Sequence, residues 1–426
     1  MPLFTAFLIV AVLVVVVIVW RGLAKQRTTA LATRTELSEI ARQELLPTVK
    51  VVALGASGAG KTALLASMFH RLQTSAYTDY YLKVPHDQMT VLNRAYRQVS
   101  DPTGKWPDST RTGETREFTF TCIAHVDGGH HEVAQINYLE YAGELLTEEQ
   151  EGGASEQKAL VEYVDSAAAV LILLDGFRIK QLLEDSLDGA IHLESALSAY
   201  VNLIFAKTYP VHFVITKWDL LSESEEHDDQ RLRTVRDLLL SYPAFAALVR
   251  AKSGRRVVRL IPVSAVGRGF ARVDENGHVV KNLTSRVRPA YVELPLSVVI
   301  PDVFQQLSHS LEQTAKERVF AEVEDRVKLD SRDFLSHMGQ RLSRPTARAL
   351  RAAFSVVPGV AGGDQLLDLW VQWSSRPLTE RHENLLGQLT AANKEAALIY
   401  RSRQRVLDEF QRQVGVLEAK FPASRL

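Results

Sequence analysis

The chain has 426 residues, with 50 Lys and Arg balancing 50 Asp and Glu, and is 46% hydrophobic and 23% charged. This composition excludes wholesale disorder, and zero formal charge argues against a protein that wraps nucleic acid through a bulk field, so no nucleic-acid partner is expected. A single cysteine, Cys122, excludes an intramolecular disulfide framework and a Cys-rich metal site.

Residues 3–20 read LFTAFLIVAVLVVVVIVW, with Thr5 the lone polar side chain. At about 1.5 Å per residue the run would cross about 27 Å as a helix, near the hydrocarbon thickness of a bilayer. Arg21, Lys25, Arg27 and Arg34 follow, with no acid before Glu36. The positive flank predicts a single-pass anchor over 1–21 in the cell (inner or plasma) membrane, with Met1 outside and the bulk of the chain cytoplasmic. A cleaved signal peptide, processed near Ala30-Leu31-Ala32, is the competing reading; the missing basic residue before the run, and the run's length, weigh against it. Residues 22–47 read as a juxtamembrane linker ended by Pro47.

Thr48 to Leu54, TVKVVAL, has the β-branched character of a buried strand and feeds into Gly55-Ala56-Ser57-Gly58-Ala59-Gly60-Lys61-Thr62, with the helical stretch Ala63 to Phe69 behind it. This is G-x-x-x-x-G-K-[ST] in its strand–loop–helix setting. Glycines let the loop curl so that backbone N–H groups face phosphates, and the following helix adds its positive end. Gly55, Ser57, Gly58, Ala59, Gly60, Lys61, Thr62 and Ala63 are therefore the candidate phosphate cradle. Lys61 is expected to reach the β- and γ-phosphates, and the Thr62 hydroxyl to ligate Mg²⁺.

The next segment, Trp106 to Thr115, is a candidate switch, with Thr112 the leading residue to close over Mg²⁺ and Thr110 and Thr115 behind it. Arg111 is a candidate to neutralise transition-state charge, against the plainer reading of a solvated loop arginine. Glu117 to Ala124 alternates as a half-exposed strand, and Asp127-Gly128-Gly129 turns it back into Glu132 to Leu139 as a hairpin. Then come Glu140 and Gly143, with Glu144 beside them. Ala167 to Leu174 is a further buried strand, ended by Asp175 as a turn residue.

Val211 to Ile215 is another, followed by Thr216-Lys217-Trp218-Asp219, and Leu260 to Val263 leads into Ser264-Ala265-Val266-Gly267. A carboxylate such as Asp219 accepts two hydrogen bonds from guanine, which offers N1–H and a 2-amino group where adenine offers no such pair. The acidic run from Ser222 to Asp229 reads as a solvated cap, and residues 268–295 as a loop or hairpin insertion.

These motifs, in this order and each at a strand end, resemble those of Ras-like (TRAFAC-class) P-loop GTPases. The resemblance implies an α/β P-loop NTPase fold over 48–311, a mostly parallel sheet with one antiparallel edge pair, and GTP/GDP with Mg²⁺ as ligands. It implies that Thr216, Lys217, Asp219, Ser264 and Ala265 hold the base, that Thr62, Thr112 and Glu140 serve the metal, and that Lys61, Thr112, Gly143 and Glu144 serve hydrolysis. Glu140 stands where the family places Asp, and Glu144 where many members place a glutamine that orients water. A glutamate there accepts from water but donates nothing to the phosphoryl group, so hydrolysis is expected to be slow. The length, the Trp-Pro segment and the C-terminal extension resemble bacterial double-GTPase proteins. The anchored architecture resembles the signal-recognition-particle receptor β subunit.

From Pro301 a helical stripe of Phe304, Leu307, Leu311, Ala315 and Val319 is expected to run towards Leu342. Ala352 to Trp373 is apolar but too interrupted for a second membrane span, and a long helix after Pro377 carries Leu385, Leu389, Ile399, Val406, Phe410 and Leu417. Residues 312–426 thus read as an α-helical effector or assembly module that packs in cis on the preceding helix or self-associates. The predicted protein is an anchored guanine-nucleotide switch with an unknown effector or regulator. The alternatives are a dynamin-like membrane-remodelling GTPase, disfavoured by Ala142 where those proteins place proline, and a nucleotide-binding scaffold that does not turn over.

Overall fold

The computed structural model describes residues 46–108, 115–142, 154–184, 187–221, 227–252, 257–275, 277–311, 360–361, 363–374 and 394–426. The chain divides into two compact units, Met1–Leu46 and Pro47–Leu426. The predicted anchor over 1–21 lies outside the described residues, as does the linker up to residue 45. Among the described residues no helix is long and apolar enough to cross a membrane.

The second unit begins with β1 (Thr48–Gly55), α1 (Lys61–Leu72), β2 (Tyr80–Lys83) and α2 (His86–Ser100). The hairpin β3 (Thr115–Val126) and β4 (Gly129–Ala142) follows, then α3 (Ala154–Asp165), β5 (Ala169–Asp175), α4 (Gly176–Leu183), α5 (Leu187–Ile204) and β6 (Val211–Thr216). Next are α6 (Asp228–Ser241), α7 (Pro243–Lys252), β7 (Val258–Pro262), a small hairpin of β8 (Ala271–Val273) and β9 (Val279–Lys281), and α8 (Val299–Ser310). The C-terminal part contributes β10 (Val360–Ala361), α9 (Gly363–Ser374) and α10 (Lys394–Lys420).

The sheet order is β2-β3-β4-β1-β5-β6-β7, with β10 paired to β1. Strands β1, β5, β6 and β7 are parallel neighbours and are buried almost throughout, because helices cover both faces, which is why they read as continuous apolar runs. Full burial of each Val, Ile or Leu in such strands stabilises the fold by about 1.5–3 kcal/mol before entropy is subtracted. β3 alternates in burial along its first half, as period-2 patterning predicts for a strand with one wet face.

The single antiparallel edge pair is corrected by three antiparallel pairings, β2 with β3, β3 with β4, and β10 with β1. β10 fits because β5 joins β1 only from Val51, leaving Thr48 and Val49 to pair with Ala361 and Val360.

Elements on both sides of residue 311 share this unit. α8 stops at Ser310, where Leu311 turns extended, and the expected continuation to Leu342 lies outside the described residues. α10 lies against α8, and also against β3 and β4, with Phe410 edge-on to Tyr80 at 5.0 Å. Its Val406, Phe410 and Leu417 are buried there. Beyond it the terminal Leu426 N–H donates to Val258 O at 3.0 Å.

A buried charge cluster fastens this end. Arg259 on β7 grips both Asp302 oxygens at 2.7 and 2.8 Å and donates to Glu418 on α10 at 2.6 Å. His212 sits beside Asp302, and burial lowers its pKa to about 4, so it is neutral at physiological pH.

Candidate functional site

The site lies at the carboxyl ends of the parallel strands, where loops after β1, β6 and β7 converge on one cavity of about 260 Å³. At the phosphate end, Gly58 and Gly60 have φ of 73° and 84°, the left-handed region that favours glycine, and they curl the loop onto the start of α1. Gly58, Gly60, Lys61, Thr62 and Ala63 line the cavity. Gly55 and Ala59 are buried beside it and Ser57 is exposed, none of the three among its lining residues.

The Lys61 ammonium donates to the loop's own Gly55 O at 2.7 Å and Ala56 O at 3.0 Å. Register places Glu140 opposite Ala53 on β1, and from there its Oε1 accepts the Thr62 hydroxyl at 3.1 Å. Thr62 and Glu140, the two candidate metal residues that are described, are thus brought together. The switch candidates Thr110, Arg111 and Thr112, together with Gly143 and Glu144, lie outside the described residues.

The end expected to hold the base is anchored from β6. The Thr216 hydroxyl lies 2.7 Å from Ala59 O and 3.0 Å from Leu174 O, which ties the base motif to the phosphate loop. Lys217 adopts φ of 48° and pairs with Asp175 at 2.7 Å, a contact set by the β5–β6 register of Asp175 opposite Thr216. Asp175 also caps α4 by accepting the Phe177 N–H at 2.9 Å, so it is the turn residue expected and a tether for Lys217 as well. Gly176 next to it is obligatory for packing, since a Cβ there would stand 2.2 Å from Thr216 O.

Asp219 lines the cavity, with Oδ1 accepting the Ser264 hydroxyl at 2.5 Å and Oδ2 buried without a hydrogen-bond partner among the described residues. Burial raises its pKa to about 6, against the lowering effect of the Ser264 bond, so it is ionised at neutral pH. Ser264 in turn accepts the Gly267 N–H at 2.7 Å, and Ala265 lines the cavity beside it.

Three parts of the site escaped sequence reasoning. Trp106, Pro107 and Asp108 line the cavity, although within that segment only the threonines and Arg111 are given site roles by the sequence. Ala271 and Val279 of the inserted hairpin line it too. Asp228, expected as a solvated cap, is instead buried and accepts from the Trp218 indole at 2.8 Å, Arg268 at 2.5 Å and the Tyr291 hydroxyl at 3.1 Å. It joins the two base-side loops. The proline after Trp106 and the indole within the Thr-Lys-Trp-Asp run were the available signals, but neither names its distant partner.

An α/β sheet of this order, with a phosphate loop after its central strand and a buried carboxylate at the far end of the same cavity, defines a P-loop GTPase-type domain. Residues 50–256 match the family model described as Double-GTPase 2. Among solved structures, the chain is similar to the S. cerevisiae Ski7 GTPase-like domain bound to GTP, at 15% identity and TM-score 0.30, over 56% of this chain and 47% of that one. The same domain bound to GDP and inorganic phosphate matches at 13% identity and TM-score 0.31, over 59% and 49%. The mammalian SRP receptor matches at 16% identity and TM-score 0.25, over 51% and 91%. The chain spans about half the length of the Ski7 chains it matches. No curated protein matches it.

Proposed function

We propose that this protein is a guanine-nucleotide switch that binds GTP and GDP, hydrolyses GTP slowly with Mg²⁺, and is held at the cytoplasmic face of the cell membrane by residues 3–20. The observation that carries the reading is Asp219, which lines one cavity with Gly58, Gly60, Lys61 and Thr62 and whose Oδ2 is buried without a hydrogen-bond partner among the described residues. A buried acceptor left open costs free energy, and guanine's N1–H and 2-amino group would offset that cost where adenine would not.

The phosphate loop and the positive end of α1 would take the phosphates, with Lys61 exchanging its loop carbonyls for phosphate oxygens. The donor set fits Mg²⁺, a hard ion held in such sites by a hydroxyl, one or two carboxylates, phosphates and water, and Thr62 with Glu140 supplies the protein's share. When bound, the ion would supply positive charge that offsets the charge developing on the phosphates. Thr112 and Gly143 are the segments proposed to order with the γ-phosphate, and Glu144 accounts for slow turnover.

The test is competition of GTP, GDP and ATP for the full-length protein in detergent, followed by single-turnover hydrolysis. Guanine nucleotides should displace each other and ATP should not. Preferential ATP binding would remove the reading, and fast hydrolysis lost in Glu144→Ala would remove its slow-turnover part.

A further inference from the structure

Among the described residues the β8–β9 hairpin pairs with itself and not with the central sheet. Its Ala271 and Val279 line the cavity instead. Val279 accepts the Trp106 indole N–H at 2.9 Å, and Phe270, just before β8, meets the same indole edge-on at 6.3 Å. The Lys281 ammonium stands 4.6 Å from the Trp106 ring centroid and donates to the main-chain carbonyls of Gln98, Asp101 and Lys105, at 2.5, 2.8 and 3.2 Å. A helix end presents carbonyls without intrahelical partners, and one ammonium at the end of α2 collects those of Gln98 and Asp101 and one from the following loop.

Beneath lies a small apolar cluster of Val99, Val266 and Phe270, separate from the main core. An element held by a few apolar side chains, one indole hydrogen bond and one ammonium opens at far lower cost than the whole domain unfolds.

Resting on the reading that this cavity holds a guanine nucleotide, we propose that the hairpin is a retention clamp. Through Lys281 and Trp106 it fastens the wall of the cavity formed by residues 106–108, and its opening sets the rate at which nucleotide leaves.

The test uses the full-length protein loaded with a fluorescent GDP analogue and chased with excess GDP. Lys281→Met, which keeps the aliphatic stem and removes the charge, should release the analogue about tenfold faster, the expected result of losing a partly desolvated cation–π contact and its carbonyl bonds. Lys281→Arg restores a cation over the ring and should restore slow release, a rescue that would not follow from general loosening of the fold. Trp106→Ala should release fast and Trp106→Phe slowly. Release unchanged in Lys281→Met and Trp106→Ala would overturn the clamp while leaving nucleotide binding intact. Wild-type protein that fails to take up the analogue would overturn the nucleotide reading and the clamp with it.

Discussion

The two ends of the cavity are built on different plans. The phosphate end comes from one contiguous loop, Gly58 to Thr62, whose chemistry is mostly backbone and is set by two left-handed glycines and one helix start. The other end, where the nucleoside is proposed to sit, is assembled from side chains on four separated segments, around Trp106, Asp219, Ala265 and Val279, and Asp228 joins its loops. A contiguous backbone site needs only local geometry, whereas the assembled one depends on the whole sheet and on an insertion being in register. Damage should therefore be abrupt at the first end and graded at the second.

The largest effect is expected at the phosphate end. Lys61→Ala removes a charge-assisted donor worth about 1.5–3 kcal/mol for each phosphate contact, so GDP affinity should fall by about 100-fold or more in equilibrium titration. Affinity within a few-fold of wild type would show that the loop holds phosphate without its lysine. A smaller effect is expected from Asp228→Asn, which weakens the bonds to Arg268 and Trp218. GDP affinity should fall about tenfold while affinity for pyrophosphate, which lacks a base, stays unchanged. Equal losses for both ligands would mean that Asp228 supports the domain as a whole.

The smallest effect comes from pH. Because burial raises free Asp219 to about 6, and guanine binding favours its ionised form, GDP affinity should be flat above that pH and decline as pH falls through it. The decline should be absent from Asp219→Asn, measured by titration at neutral and mildly acidic pH.

The same contrast explains what could be read in the sequence. The loop from Gly55 to Thr62 was legible because its function is written in adjacent residues, and β1, β5, β6 and β7 were legible because burial on both faces leaves unbroken apolar runs. The partnership of Trp106 with Val279 spans 173 positions and was not legible. Asp228 lay hidden in an acidic run whose simplest reading is solvation, and only the arrival of Trp218, Arg268 and Tyr291 makes it a buried hub. β10 is two residues long and owes its existence to the gap β5 leaves beside Thr48 and Val49. The helix after Pro377 was expected to pack on its helical neighbour, yet α10 also covers β3 and β4, a face whose alternation shows that it is buried but not by what.

Asp219 is proposed to read guanine, and competition among three diphosphates at equilibrium decides whether it does. GDP, XDP and ADP are competed on the wild-type protein and on Asp219→Asn. The wild type should prefer GDP, and the variant should prefer XDP, because the Asn amide donates where the carboxylate accepts. The same base preference in both proteins, or a wild type that prefers ADP, would show that Asp219 does not read guanine.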